Sequence, residues 1–261
     1  MTEKTAFTLA ETLITLAIIG IVAAMTLPTL IQKYKEKQTI VRLKQTYSML
    51  EQAYLLAVNE YGPPSCWGLT DIDTTVDDEG NTSYDTENND YTRKLLLEIF
   101  TKYLKTLRIC NNKGLPACFY SSNTTISSTH TLTEGRAYSA ILMNGVGLVF
   151  VPRSSSCTYN VGTTEALQHV CADIWVDIDG PRGENAFAKD FFRFHLTEYG
   201  IVPKGTKEDT TFSFASTCYT TKTSVYGWNY GESCTAWVIY NENMDYLHCD
   251  DLSWEGKHKC D

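Results

Sequence analysis

The chain has 261 residues and a mass of 29.4 kDa, and its 43% hydrophobic and 20% charged content excludes a disordered or collagen-like polymer. The net charge of −9 is unevenly spread: residues 1–45 hold six Lys/Arg against three acids, or +3, which leaves −12 on the other 216. So acidic a remainder is a poor general ligand for nucleic acid, whose phosphates need Lys and Arg to displace their counterions.

Residues 12–31 (TLITLAIIGIVAAMTLPTLI) carry no charge. Twenty residues make about 30 Å of helix, enough to cross the hydrocarbon of a bilayer. A secretory signal has a shorter apolar stretch that ends at a cleavage site. Here the pattern continues instead: Ile40, Leu43, Tyr47, Leu50, Tyr54 and Ala57 recur at steps of three and four, until Pro63-Pro64 forbids more helix. The expectation is one helix of about fifty residues, apolar first and amphipathic after. Gly20, Ala23 and Ala24 suit close helix approach, or are filler in a membrane helix. Pro28 removes one helical hydrogen bond and predicts a kink or local melting. Glu11 stands just ahead of the uncharged run. An acid at membrane depth costs a few kcal/mol unless it is paired or protonated; at headgroup level it costs little.

The stretch Lys4-Thr5-Ala6-Phe7-Thr8-Leu9-Ala10-Glu11 resembles the processing site of type IV pilins and type II secretion pseudopilins. With a cut after Ala6, Phe7 is the first mature residue, Glu11 the fifth, Gly20 the fourteenth and Pro28 the twenty-second, each where that family has its counterpart. Ala6 departs from the usual Gly but is also small. The resemblance covers residues 1–55. It implies a leader at 1–6, a transmembrane and polymerisation helix at 7–31, its amphipathic continuation at 32–62, and a globular domain at 63–261. It also implies a prepilin peptidase that cuts between Ala6 and Phe7 and methylates the new amine, which the Glu11 carboxylate of a neighbouring subunit then meets. The implied partners are other pilin or pseudopilin subunits, the inner-membrane assembly platform and the lipid bilayer.

Two signals on orientation oppose each other. Lys33, Lys35 and Lys37 follow the apolar run, which by the positive-inside rule puts the rest of the chain in the cytoplasm. Nine cysteines, all beyond the apolar run and with no C-x-x-C among them, read as disulfides formed in an oxidising compartment. Sequence neighbours suggest Cys110–Cys118, Cys157–Cys171, Cys218–Cys234 and Cys249–Cys260, with Cys66 left over. His248-Cys249 and His258-Lys259-Cys260 offer a competing metal-ligand reading. The localisation expected from the cysteines is a single-pass bacterial inner-membrane protein with a periplasmic globular domain.

Residues 71–90 hold eight acids and no base and read as a solvated loop. Asn89 or Asp90 then caps a second helix with an apolar stripe of Leu96, Ile99, Phe100, Tyr103, Leu104 and Leu107. After it, residues 135–152 read as two strands joined at Asn144-Gly145. Residues 172–177, 190–196, 212–219 and 235–240 are further strand candidates. The fold class is α+β: a long N-terminal helix on a small antiparallel sheet, with a disulfide-rich C-terminal part.

In the loop after the third strand, Asp177, Asp179, Asn185 and Asp190 could gather oxygen ligands for calcium, as some pseudopilins do, or could be ordinary turn residues. The EF-hand order is not matched. The segment VDIDGPRGENAFAKDFFRF also resembles uncharacterised pilin-like proteins. No G-x-S-x-G, phosphate loop or H-E-x-x-H occurs and the five His are scattered, so no enzyme is expected. The function expected is a structural subunit of a type IV pilus-like filament or type II secretion pseudopilus. The alternative is a membrane-anchored periplasmic binding module that uses the helix only as a tether.

Overall fold

A computed structural model describes residues 9–70, 74–76, 82–84, 86–110, 118, 138–182, 186–218 and 231–261. The chain divides into two compact units, Met1–Gln38 and Thr39–Asp261. Helix α1, Leu9–Tyr61, runs for 53 residues. It passes through Pro28 without a break, against the expectation of local melting. Proline forfeits only the single N–H that would reach the Ala24 carbonyl, and the rest of the ladder carries the helix through.

In the second unit, α1 buries Leu43, Leu50, Tyr54 and Ala57 and half-buries Ile40 and Tyr47, the expected stripe. Within the acidic stretch, β1 (Thr74–Val76) and β2 (Thr82–Tyr84) pair antiparallel where a loop was expected, because their Thr, Val and Tyr are strand formers. Helix α2 spans Thr86–Tyr103, starting ahead of the Asn89 or Asp90 cap, since acids are at home in a first turn. It buries Leu96, Ile99 and Phe100, with Leu104 buried just past its end. Leu107 does not extend that stripe: it lies exposed on β3 (Thr106–Cys110), a strand the apolar spacing did not signal.

The hairpin of β4 (Ser139–Leu142) and β5 (Gly147–Pro152) forms as expected. Its turn needs Gly145 in the left-handed region (φ +87°), while Asn144 Oδ1 accepts the Val146 N–H. A short helix α3 (Glu165–Gln168), capped by the Thr164 hydroxyl, leads into β6 (Val170–Asp177). Then follow β7 (Phe191–Thr197) and β8 (Gly200–Pro203), the latter too short to stand out in the sequence. The six strands β3 to β8 lie in chain order, each antiparallel to the next.

Side chains alternate across this sheet. Leu148, Phe150, Ile174, Val176, Phe192 and Phe194 join one core with residues 43–57 of α1 and with α2. Tyr47 stacks on Phe194 at 5.5 Å and Phe100 meets Phe150 at 4.8 Å between ring centroids. Tyr54 Oη donates to the Glu198 carbonyl at 2.8 Å, and Glu51 accepts the Ile201 N–H at 2.9 Å. On the other face Val149, Trp175 and Phe191 are buried too, along with several charged residues. β6 and β7 are thus covered on both sides.

Two expected late strands are helices. Residues 214–217 form the single turn α4 (Phe214–Thr217), started by Ser213, whose carbonyl accepts the Ser216 and Thr217 N–H groups. Residues 235–240 lie in α5 (Thr235–Asn241). Its residues 235–239 are buried all round, so the run TAWVIY shows no amphipathic period and imitates a buried strand. Trp237 stacks on Phe214 at 4.2 Å, with Trp254 at 5.1 Å.

All four suggested cysteine pairs are disulfides, spanning 8, 14, 16 and 11 residues, and Cys66 is free and exposed. Because Cys249 and Cys260 are bonded to each other, they have no thiolates for the metal reading with His248 and His258.

Candidate functional site

Ala6 and Phe7 lie outside the described residues. Glu11 sits in the first turn of α1, where the helix dipole favours a carboxylate. Beyond it Leu13, Ile14, Leu16, Ile19 and Met25 are all exposed, and the helix is long and apolar enough to cross a membrane. Among the described residues nothing stands within 4 Å of where a Gly20 Cβ would be.

At the end of β6 the chain turns back on itself through Asp177, Asp179 and Gly180. The Asp179 and Gly180 N–H groups donate to Asp177 Oδ1 at 3.2 and 3.0 Å. Gly180 has φ +64°, and a Cβ there would collide with the Gly145 carbonyl of the β4–β5 turn. Across the loop, Asp190 closes the other side: its carbonyl accepts the Ile178 N–H at 2.8 Å and its Oδ1 accepts the Ala186 N–H at 2.6 Å. Of the four residues singled out as calcium ligands, three are thus neighbours; Asn185 lies outside the described residues.

Asp177 is fully buried, and Asp177 Oδ2 and Asp179 Oδ1 have no donor among the described residues. Burial first, then the adjoining Asp179 and Asp190, push Asp177 up to about 9. Burial likewise pushes Asp190 up to about 7, with Asp179 adding to it. Acceptor-only oxygens held together out of water call for a proton or a hard cation between them. Asp177, Asp179 and Asp190 are of the right chemistry for calcium, but their ligand oxygens do not all lie within 4.8 Å of one another, so an ion would have to draw them closer.

A second cluster went unread in the sequence. Register places Asp173 of β6 opposite His195 of β7, on the sheet face away from the α1–α2 core. Asp173 Oδ1 pairs with His195 Nδ1 at 2.9 Å, and Arg153 grips Asp173 Oδ2 through Nε at 3.0 Å and Nη2 at 2.6 Å. His195 Nε2 meets Asp209 Oδ2 at 3.2 Å. Next to them Arg193 binds Glu232 at 2.6 Å, with its guanidinium carbon 4.0 Å from the Trp175 ring centroid. Lys204 Nζ lies 3.5 Å from Glu232 Oε2 and 3.9 Å from Asp173 Oδ2. Burial opposes charge on Asp173, but Arg153, Lys204 and His195 outweigh it and hold the carboxyl well below its ordinary range. Burial also opposes the His195 imidazolium, and its two carboxylate partners reverse that and raise it. The available signal was the charge at alternate positions 173, 193 and 195 inside otherwise apolar strands.

Taken together these features define an α+β, disulfide-bonded domain that continues from a helix long and apolar enough to span a membrane. The chain belongs to the Family of unknown function (DUF6613), whose model matches residues 29–242. That match starts beyond Glu11 and Gly20. No curated protein and no solved structure matches the chain.

Proposed function

We propose that the chain is a structural subunit of a type IV pilus-like filament or type II secretion pseudopilus. A prepilin peptidase cuts between Ala6 and Phe7 and methylates Phe7, and the subunit assembles through the first half of α1. The observation that carries this reading is an acid, Glu11, at the head of an uncharged and exposed run in a helix whose later residues form the stripe packed on the sheet. A mere tether has no need of a carboxylate at that point, whereas a filament subunit uses one to set its register against a neighbour. The globular domain is periplasmic or extracellular: four disulfides favour an oxidising compartment over the side indicated by Lys33, Lys35 and Lys37.

Mass spectrometry of the chain from cells that hold the processing peptidase is expected to find an N-terminus at methylated Phe7. A retained Met1 in such cells overturns the reading. Deleting residues 1–38 separates it from the binding-module alternative. A tethered receptor keeps its ligand without the helix, whereas a filament subunit loses assembly.

On the same reading, calcium draws Asp177, Asp179 and Asp190 together and fixes the loop between β6 and β7. Calcium at a hundred times its dissociation constant should raise the unfolding midpoint of the chelator-treated chain by roughly 5–10 °C. Asp177→Asn should abolish the shift. A wild-type midpoint indifferent to calcium sinks the metal assignment and leaves the filament reading standing.

A further inference from the structure

The buried cluster around Lys204 has a property that ion pairing alone does not require: an amine and two carboxyl groups confined together, with their sites closed to water. Lys204, Asp173 and Glu232 expose 0%, 1% and 4% of their side chains. The Phe212 ring centroid is 3.4 Å from Nζ. Removal of water disfavours a charged pair and favours the neutral amine and carboxylic acid, the two reactants of an amide condensation.

We propose that Lys204 and Glu232 condense to an intramolecular isopeptide bond, with Asp173 as the base and Arg193 as the group that polarises the acceptor carboxyl. The two carboxylates do not play the same part. Asp173 is held by Arg153 and His195 and stays ionised, so it accepts a proton and is a poor electrophile. Glu232 is held on one oxygen only: Oε2 takes the Arg193 Nη1 donor at 2.6 Å, while Oε1 is buried without a partner among the described residues. Nζ also lies nearer Glu232 than Asp173.

Burial lowers Lys204 despite Asp173 and Glu232 beside it, which brings the amine toward its nucleophilic form.

The step balances without an oxidant or cofactor. Lys204 first passes a proton to Glu232, giving amine and carboxylic acid. The Nζ lone pair then attacks Cδ while Arg193 stabilises negative charge on Oε2. The C–N bond forms as the bond from Cδ to Oε1 breaks. One amine proton travels through Asp173 to the departing hydroxyl, and one water is released. This bond forms within the globular part, so the inference stands apart from the filament reading.

The test is the intact mass of the full chain, extracted in detergent, then reduced and denatured. The wild type is expected one water lighter than its sequence, with the peptides that bear Lys204 and Glu232 joined on mapping. Lys204→Met should return the full sequence mass. Glu232→Gln should reach the same final mass as the wild type, because glutamine loses ammonia where glutamate loses water. A wild-type chain of full mass overturns the proposal, whatever the variants do. So does a water loss that maps elsewhere, such as a succinimide at Asp179-Gly180 or a bond from Lys204 to Asp173.

Discussion

Glu11→Val is expected to exclude the chain from filaments while its globular part remains folded. If Glu11 meets the Phe7 amine of a neighbouring subunit, the substitution strands that amine in an apolar surrounding. Breaking a buried pair on one side costs about 3–5 kcal/mol, or about a hundred- to a thousand-fold in association. Fold should not change, because residues 39–261 form their own compact unit. The measurement is the amount of variant in sheared or purified filaments beside wild type, with a circular dichroism melt as control. Incorporation at the wild-type level would refute the role given to Glu11.

Asp173→Ala is expected to be the most damaging single change in the globular part. It leaves Arg153, His195 and Lys204 without their shared carboxylate at a buried site, at a cost of about 3–5 kcal/mol. The variant should melt well below wild type or fail to fold; a melt within a few degrees of wild type would show that the cluster is not cooperative. The wild type's pH dependence gives a second measure. Asp173 titrates lower in the folded chain than its ordinary 3.8, so its contribution is present above that value and is lost as pH falls below it. His195 works in the opposite direction. Its folded value is raised above 6.5, so its contribution is full below 6.5 and disappears as pH climbs through the raised value. A stability maximum between those limits is expected, and a profile still rising above them would contradict the paired imidazolium.

Much of the fold was legible because local rules and tertiary demands coincide. The α1 stripe from Ile40 to Ala57 was visible because one side of that helix is buried and the other wet. Asn144-Gly145 announced its turn because few other residues tolerate that backbone. The four disulfides join sequence neighbours, since short loops bring their ends together cheaply. Where burial is uniform, these signals failed. The run from Thr235 to Tyr240 is apolar on every side, so strand and helix could not be told apart.

The sites divide in the same way. The amino-acid sequence by itself determined the long helix, the acid that heads its uncharged run and the alternating aspartates at the end of β6, because each rests on residues a few positions apart. Only the tertiary structure decided that Asp173, His195, Lys204, Asp209 and Glu232 share one dry site. Their proximity comes from strand register and from a segment returning over the sheet face, and neither leaves a mark in local spacing. It decided too that Asp190 lies near Asp177, beside a Gly180 backbone that packs against the Gly145 carbonyl of the neighbouring hairpin.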